Sequence, residues 1–274
     1  MENVKWLLEP DVFDGEEQPI IDALDRLGLE YETVKFGKPY EDYLKAFKDD
    51  DCVVFHGSFQ FGKLIQEKTK WFPGVFGNLP KFECSYYYPR LDGLLNSDYI
   101  MIPFGELNRF RHRLIEMFGE RFFVRPSNCY KTFTGQVVSK ETWDKDLELI
   151  GFYKTAPEDI IIIAPEVKIA FEWRFLIIGD GDILTGSQYK SEDREQPTKE
   201  AWYFAQSIVD EADYDPDSVW VLDVCQTVDG DIKIVEAGPF SCCALYNCDP
   251  EIVATEVSRQ AWKDYEAYRE KNGR

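Results

Sequence analysis

The residues best suited to chemistry cluster around two Asp-Gly pairs. Asp229-Gly230 separates an apolar run at 218–226, SVWVLDVCQ, from DIKIVE at 231–236. An Asp-Gly pair between apolar runs is a strong short-range hairpin signal. With Asp229 and Gly230 as a two-residue turn, Val228 stands opposite Asp231 and Asp223 opposite Glu236. Opposed side chains share one face of the hairpin, with Cβ atoms about 4.5–5.5 Å apart. The Asp223 strand is apolar on both faces, so two carboxylates there repel and one is driven towards its protonated form. A divalent cation removes that conflict, and an all-oxygen donor set suits magnesium. Other arrangements dispense with metal: a register shifted by one, acids turned to solvent, or neutralisation by Arg or Lys. An acid and base pair of the glycosidase kind is a further alternative.

Magnesium is usually held by one or two carboxylates together with phosphate oxygens, so cations able to meet phosphate are the next feature to find. Arg125 ends the strand-like run RFFVR, and Lys131 follows in a loop closing at Gly135. Arg174 lies on a first hairpin, 168–178, which turns at Asp180-Gly181 into 183–189. The same two-residue register sets Arg174 against Ser187 and Glu172 against Tyr189, with Lys190 closing the strand. Glu172 and Arg174 are two residues apart and share a face. Singly, each cation reads as a surface ion-pair residue. Together they form a pattern: cations on one sheet, carboxylates on a second hairpin, and the apolar run IIIIAP at 160–165 between them. Neither GxGxxG nor GxxxxGK[ST] occurs, which excludes phosphate sites of the Rossmann and P-loop kinds.

These parts need a scaffold, and the periodicity predicts one. Residues 4–8, 31–36 and 52–55 read as strands, with helices over 18–27 and 40–47, an alternation typical of βα units and a parallel sheet. The aromatic, Gly- and Pro-rich stretch 71–90 reads as irregular structure packed by its own rings, with Tyr86, Tyr87 and Tyr88 as core or, alternatively, as part of a substrate pocket. Helices are expected over 106–118, 142–150, 198–211 and 250–271, and strands over 121–125, 136–139 and 159–163. Arg109, Arg111 and Arg113 alternate along their helix and so do not share one face.

Composition sets limits. The chain has 274 residues, 51 Asp and Glu against 31 Lys and Arg, and a formal net charge of −20. That balance argues against nonspecific nucleic-acid binding and against docking on anionic lipid. The charge is uneven: −8 over 1–100, −1 over 101–190 and −11 over 191–274. The near-neutral middle holds Arg125, Lys131, Arg174 and Lys190, and the acidic end holds Asp223 and Glu236. No apolar run is long enough to span a bilayer, and the first residues lack the pattern of a signal peptide. The seven cysteines contain no CxxC and read as reduced thiols of a cytoplasmic protein. With two histidines, His56 and His112, a His-rich metal site is excluded.

The order of parts resembles the ATP-grasp superfamily. FFVRP is similar to the strand carrying its first phosphate-binding base, NCYKTFTG to the mobile loop carrying the second at Lys131, and IIIIAPE to the hinge strand whose backbone holds adenine. FEWRFLI is similar to the next strand, and VLDVCQTVDGDIKIVEAG to the metal-binding hairpin. An Arg-then-Lys pair resembles one clade of mostly phage and bacterial members. The resemblance implies an α+β fold in which two subdomains grip ATP, behind a small βα domain. Its expected limits are 1–99 for the first domain and 100–274 for the second, with a lid over 121–163 and a hairpin subdomain over 168–274. It further implies ATP and magnesium as cofactors. Arg125, Lys131, Ala164, Glu166, Val167 and Glu172 would serve ATP, with Glu166 near the ribose, and Asp223 and Glu236 the metal. Arg174 and Lys190 would hold acyl phosphate or triphosphate oxygens. The implied activity is a carboxylate–amine ligase working through an acyl phosphate on small-molecule or peptide substrates. A small-molecule kinase and a non-enzymatic acidic DNA mimic are the alternatives. One departure stands out: the family usually continues Glu-x-Asn, and here Glu236-Ala237-Gly238 follows.

Overall fold

A computed structural model describes residues 3–13, 17–35, 37–179, 181–189 and 196–273. Lys190 and Asp180 lie outside the described residues. Among the described residues, three four-stranded sheets organise the fold.

The first sheet is parallel and built from β1 (Val4–Leu8), β2 (Glu30–Thr33), β3 (Cys52–His56) and β4 (Phe72–Gly74), in the order β2-β1-β3-β4. Helix α1 (Gln18–Leu27) ends where Gly28 takes a left-handed φ of 66°, a conformation that costs glycine little. The predicted helix over 40–47 is absent. Only a single 3₁₀ turn forms, at Tyr40–Asp42. The aromatic side chains pin this segment instead: Tyr40 stacks on Phe61 at 4.4 Å and donates to Glu9, and Tyr43 accepts from the backbone of Lys35. The second strand also ends at Thr33, short of the expected 36. Helix α2 (Phe59–Lys68), not anticipated, starts at Ser58, whose hydroxyl accepts from the Phe61 N–H.

The stretch 71–90 is less irregular than expected. After β4 it winds through 3₁₀ turns at Leu79–Phe82 and Tyr88–Arg90 that flank the short helix α3 (Cys84–Tyr87). Tyr87 and Tyr88 are buried, as expected of core residues, whereas Tyr86 is only half-buried.

The second sheet is antiparallel, with order β5-β8-β6-β7: β5 (Ile100–Pro103), β6 (Arg121–Pro126), β7 (Gln136–Ser139) and β8 (Ile160–Pro165). Helices α4 (Arg111–Phe118) and α5 (Trp143–Phe152) cover one face, burying Leu114, Phe122, Trp143, Ile150, Ile161 and Ile163. Helix α4 starts five residues later than 106 because Phe104 and Gly105 bond their N–H groups to Asp159 and Pro157 carbonyls, which holds that segment as a 3₁₀ turn.

The third sheet carries the carboxylates: β9 (Ile169–Ile178), β10 (Asp182–Gln188), β11 (Val219–Thr227) and β12 (Ile232–Pro239), ordered β10-β9-β11-β12 and antiparallel. Helix α6 (Lys199–Glu211) covers one face, while α7 (Pro250–Lys271) packs between the other face and the first sheet. Buried Val253, Ala254, Val257 and Ala261 join the two sheets there, and Trp6 Nε1 donates to Ser258 at 3.0 Å. Among the described residues, no helix is long and apolar enough to cross a membrane.

Both hairpins depart from a two-residue turn in the same way. In the second, Thr227, not Val228, pairs with Asp231, so the loop has a third residue and Gly230 sits at φ 93°. A bulge at Val235 then adds one residue to β12, and the pairing returns to Asp223 opposite Glu236. In the first, a bulge at Leu184 restores Arg174 opposite Ser187. Such a loop followed by a compensating bulge keeps the face of every residue beyond it.

Candidate functional site

Three elements converge on the paired carboxylates. Asp223 sits mid-strand on β11, 1% exposed, with Arg174 of β9 as its lateral neighbour in register. Arg174 grips it with two bonds of 2.7 Å, Nε to Oδ1 and Nη2 to Oδ2, and its remaining Nη1 donates to the Ala244 carbonyl at 2.7 Å. Its guanidinium also lies 5.1 Å from the centroid of the Tyr246 ring. Glu236, across from Asp223 on β12, is held from the second sheet. Arg125 at the end of β6 donates to Oε2 at 2.8 Å and to the Val235 carbonyl at 3.2 Å. Lys131, from the loop after β6, donates to Oε1 at 2.8 Å. Arg174 approaches the same oxygen at 3.9 Å.

The electrostatics follow from this clustering. Burial alone opposes ionisation of Glu236, but Lys131 and Arg125, with Arg174 behind them, outweigh it and hold the carboxyl well below the usual range. Glu236 in turn raises the pKa of Lys131. Glu172 has the opposite fate: burial, reinforced by Asp223 and Glu236, pushes its carboxyl up to about 8. Of the arrangements left open by the sequence, neutralisation by Arg and Lys is the one present here.

The loop 127–135 is anchored at its ends. Cys129 and Phe133 are buried, while Lys131 takes a positive φ of 51°. A Cβ on Gly135 would come within 2.6 Å of the Phe123 ring and 3.3 Å of the Arg125 Cβ, so this glycine lets the loop return close beside Arg125.

The structure brings together Arg125, Lys131, Glu172, Arg174, Asp223 and Glu236. It does not link Ala164, Glu166 and Val167 to them by any hydrogen bond or ion pair among the described residues. Ala164 is buried in β8, opposite Phe123. Glu166 is taken by Arg121, in bonds of 2.8 and 2.9 Å, and Val167 is exposed. Lys190 lies outside the described residues. The sequence reading missed Ala244 and Tyr246 as partners of Arg174. It also missed His56, whose Nε2 bonds the Cys243 carbonyl at 2.9 Å and whose Nδ1 has no partner among the described residues. His56 is held neutral by burial, which lowers its pKa to about 4. It ties the end of β3 to the segment that carries Ala244.

Beside the cluster opens a cavity of about 180 Å³, lined by Arg125, Lys131, Arg174 and Glu236 and by Phe13, Phe59, Phe82 and Gly238 among others. Gly238 follows Glu236 by two residues on β12 and so faces the same way.

Residues 106–255, more than half the chain, match the model of the ATP-grasp domain, R-2-K clade family 2. The chain belongs to that family. Its fold is therefore the α+β ATP-grasp fold, with the parallel βα sheet in front of it. No curated protein matches the sequence. Solved structures with the same fold include D-cycloserine synthetase DcsG, at 12% identity and a TM-score of 0.62, covering 94% of this chain and 99% of that one. Phosphoribosylamine–glycine ligase from Thermotoga maritima is similar at 16% identity and a TM-score of 0.63, covering 96% of this chain and 75% of that one. D-alanine–D-alanine ligase from Bacillus anthracis is similar at 11% identity and a TM-score of 0.59, covering 98% and 99%.

The donor set of this ATP-grasp chain fits magnesium. Among the described residues, no group of three or more His, Cys, Asp or Glu side chains is arranged to hold a metal; Asp223 and Glu236 face each other as a pair. Two carboxylates completed by phosphate oxygens and water is the usual magnesium arrangement. Each oxygen of Asp223 has a second lone pair beyond the one Arg174 uses.

Proposed function

We propose that the protein is an ATP- and magnesium-dependent carboxylate–amine ligase. The observation that carries this reading is the convergence of Arg125, Lys131 and Arg174 on Asp223 and Glu236. Cations drawn from two sheets meet two facing carboxylates, the complement that a triphosphate and its metal require. The family membership and the ligases of the same fold support it.

In this reading the triphosphate takes over Arg125 and Lys131 from Glu236. Glu236, so freed, and Asp223 would hold magnesium, which when bound would supply positive charge against the phosphates. Arg174 stays on Asp223, opposes the effect of burial on that carboxylate and orients it, and would, together with Lys190, hold oxygens of the transferred phosphoryl group. Ala164 and Val167 offer backbone to adenine. Glu166 meets the ribose, exchanging its bond to Arg121, and Glu172 lines the nucleotide face. An oxygen of the acceptor carboxylate bonds the γ-phosphorus while the bond to the ADP oxygen breaks, giving an acyl phosphate. An amine then bonds the acyl carbon, the carbon–oxygen bond to phosphate breaks, and the amine loses a proton. Lys131 and its loop shield the acyl phosphate from water.

Hydroxylamine trapping tests the reaction class. With ATP, magnesium and a panel of carboxylates, a ligase forms hydroxamate and ADP in equal amounts. ADP with a stable phosphorylated acceptor and no hydroxamate would make the protein a kinase.

A further inference from the structure

We propose that the cavity beside the carboxylate cluster binds a small, free monocarboxylic acid with a compact apolar body as the acceptor. Its role as acceptor rests on the ligase reading; the binding itself does not.

Size gives the first constraint. The cavity holds about 180 Å³. An apolar cavity of about 150 Å³ accepts benzene, whereas drug-sized ligands fill roughly 300–1,000 Å³. The space therefore suits about six to twelve non-hydrogen atoms.

Part of that space exists because of Gly238. A Cβ built there would meet only Val221, at 3.4 Å. Its face of β12 is thus open to the cavity where sequences of the Glu-x-Asn pattern would project a side chain.

The lining gives the second constraint. Its cations are Arg125, Lys131 and Arg174, all gathered around Glu236. The rest is largely apolar, including Phe13, Phe59 and Phe82. Phe59 is braced edge-on against Tyr130 and Phe13 is tilted against His56, at centroid distances of 5.4 and 5.1 Å. With Arg125 and Lys131 given to the triphosphate, one carboxylate finds Arg174, and a second one held against these rings finds no cation, which carries a desolvation penalty without compensation. The net charge of −20 further disfavours acidic peptides. A compact apolar acid with one negative charge satisfies all of these constraints.

Calorimetric titration tests the proposal, with and without a nonhydrolysable ATP analogue plus magnesium. The probes are 3-phenylpropionate, succinate and an acetylated tetrapeptide ending in phenylalanine. The first should bind at least tenfold more tightly than either of the others. Phe59→Asp should weaken it at least tenfold and Phe59→Leu less than threefold. Position 59 opens α2, where an acid is favoured by the helix dipole, and circular dichroism checks that the variant is folded. Equal or tighter binding of succinate or the peptide overturns the proposal. So does absence of 3-phenylpropionate binding in both conditions, or unchanged binding in folded Phe59→Asp. The thermal shift produced by ATP and magnesium is read on the same preparations. A normal shift without acid binding sinks this inference alone, and acid binding without a shift sinks the nucleotide reading alone.

Discussion

Arg174 and Asp223 form a two-pronged ion pair inside the third sheet, with both bonds at 2.7 Å and exposures of 5% and 1%. A pair so buried gains little net stability over an apolar replacement, but removing one member strands the other charge. Arg174→Ala should therefore cost about 3–5 kcal/mol of unfolding free energy, read by urea denaturation. Arg174→Lys should also lose stability, because an ammonium cannot reproduce the fork. A loss below about 1 kcal/mol in Arg174→Ala would show that the pair is not buried as described.

Every carboxylate oxygen of Asp223 and Glu236 already accepts a hydrogen bond from a cation. A divalent ion arriving alone must compete with those cations, whereas a triphosphate draws Arg125 and Lys131 away. Manganese, followed by paramagnetic resonance, should bind the nucleotide-free protein at least tenfold more weakly than it binds in the presence of a nonhydrolysable ATP analogue. Equal affinity in both conditions would contradict the proposed exchange of partners.

Glu172 makes stability depend on pH. Its carboxyl is raised from 4.5 to about 8, first by burial and then by Asp223 and Glu236. Below pH 4.5 both folded and unfolded chains carry the proton. Between 4.5 and 8 the unfolded chain ionises while the folded one does not, so this group's contribution is lost progressively as pH rises. Glu172→Gln should gain stability relative to the parent from pH 5 to pH 8, without nucleotide or metal. Denaturation series at the two values check this, and a pH-independent difference would contradict it.

Gly135 links packing to the site. A methyl at this position would come within 2.6 Å of the Phe123 ring and press on Arg125. Gly135→Ala should cost about 1–3 kcal/mol and weaken ATP binding several-fold, as read by denaturation and calorimetry. Unchanged values for both would show that the loop gives way freely.

Much of this arrangement was legible in the sequence. The Asp-Gly turn and the alternation of β11 and β12 placed Asp223 opposite Glu236. That register survived because two offsets cancel: a third loop residue and the bulge at Val235. The partnership of Arg174 with Asp223 was not legible, since the alignment of β9 with β11 is set by neither hairpin turn. Helix 40–47 failed because Tyr40 and Tyr43 found partners outside the segment, on Phe61, Glu9 and Lys35, and periodicity reads only the segment itself. Helix α2 was missed for a related reason. Gly62 interrupts its pattern, yet it packs closely against Phe55, where a Cβ would sit at 3.3 Å.

The central claim is that these residues form a site for ATP and magnesium, and Asp223→Asn tests it most directly. The substitution keeps the shape of the side chain and removes its charge. Calorimetry with ATP and magnesium should give saturable binding and magnesium-dependent ATP turnover for the parent. The folded variant should lose at least tenfold in affinity and nearly all turnover. A folded Asp223→Asn that binds ATP with magnesium and turns it over like the parent would contradict the account.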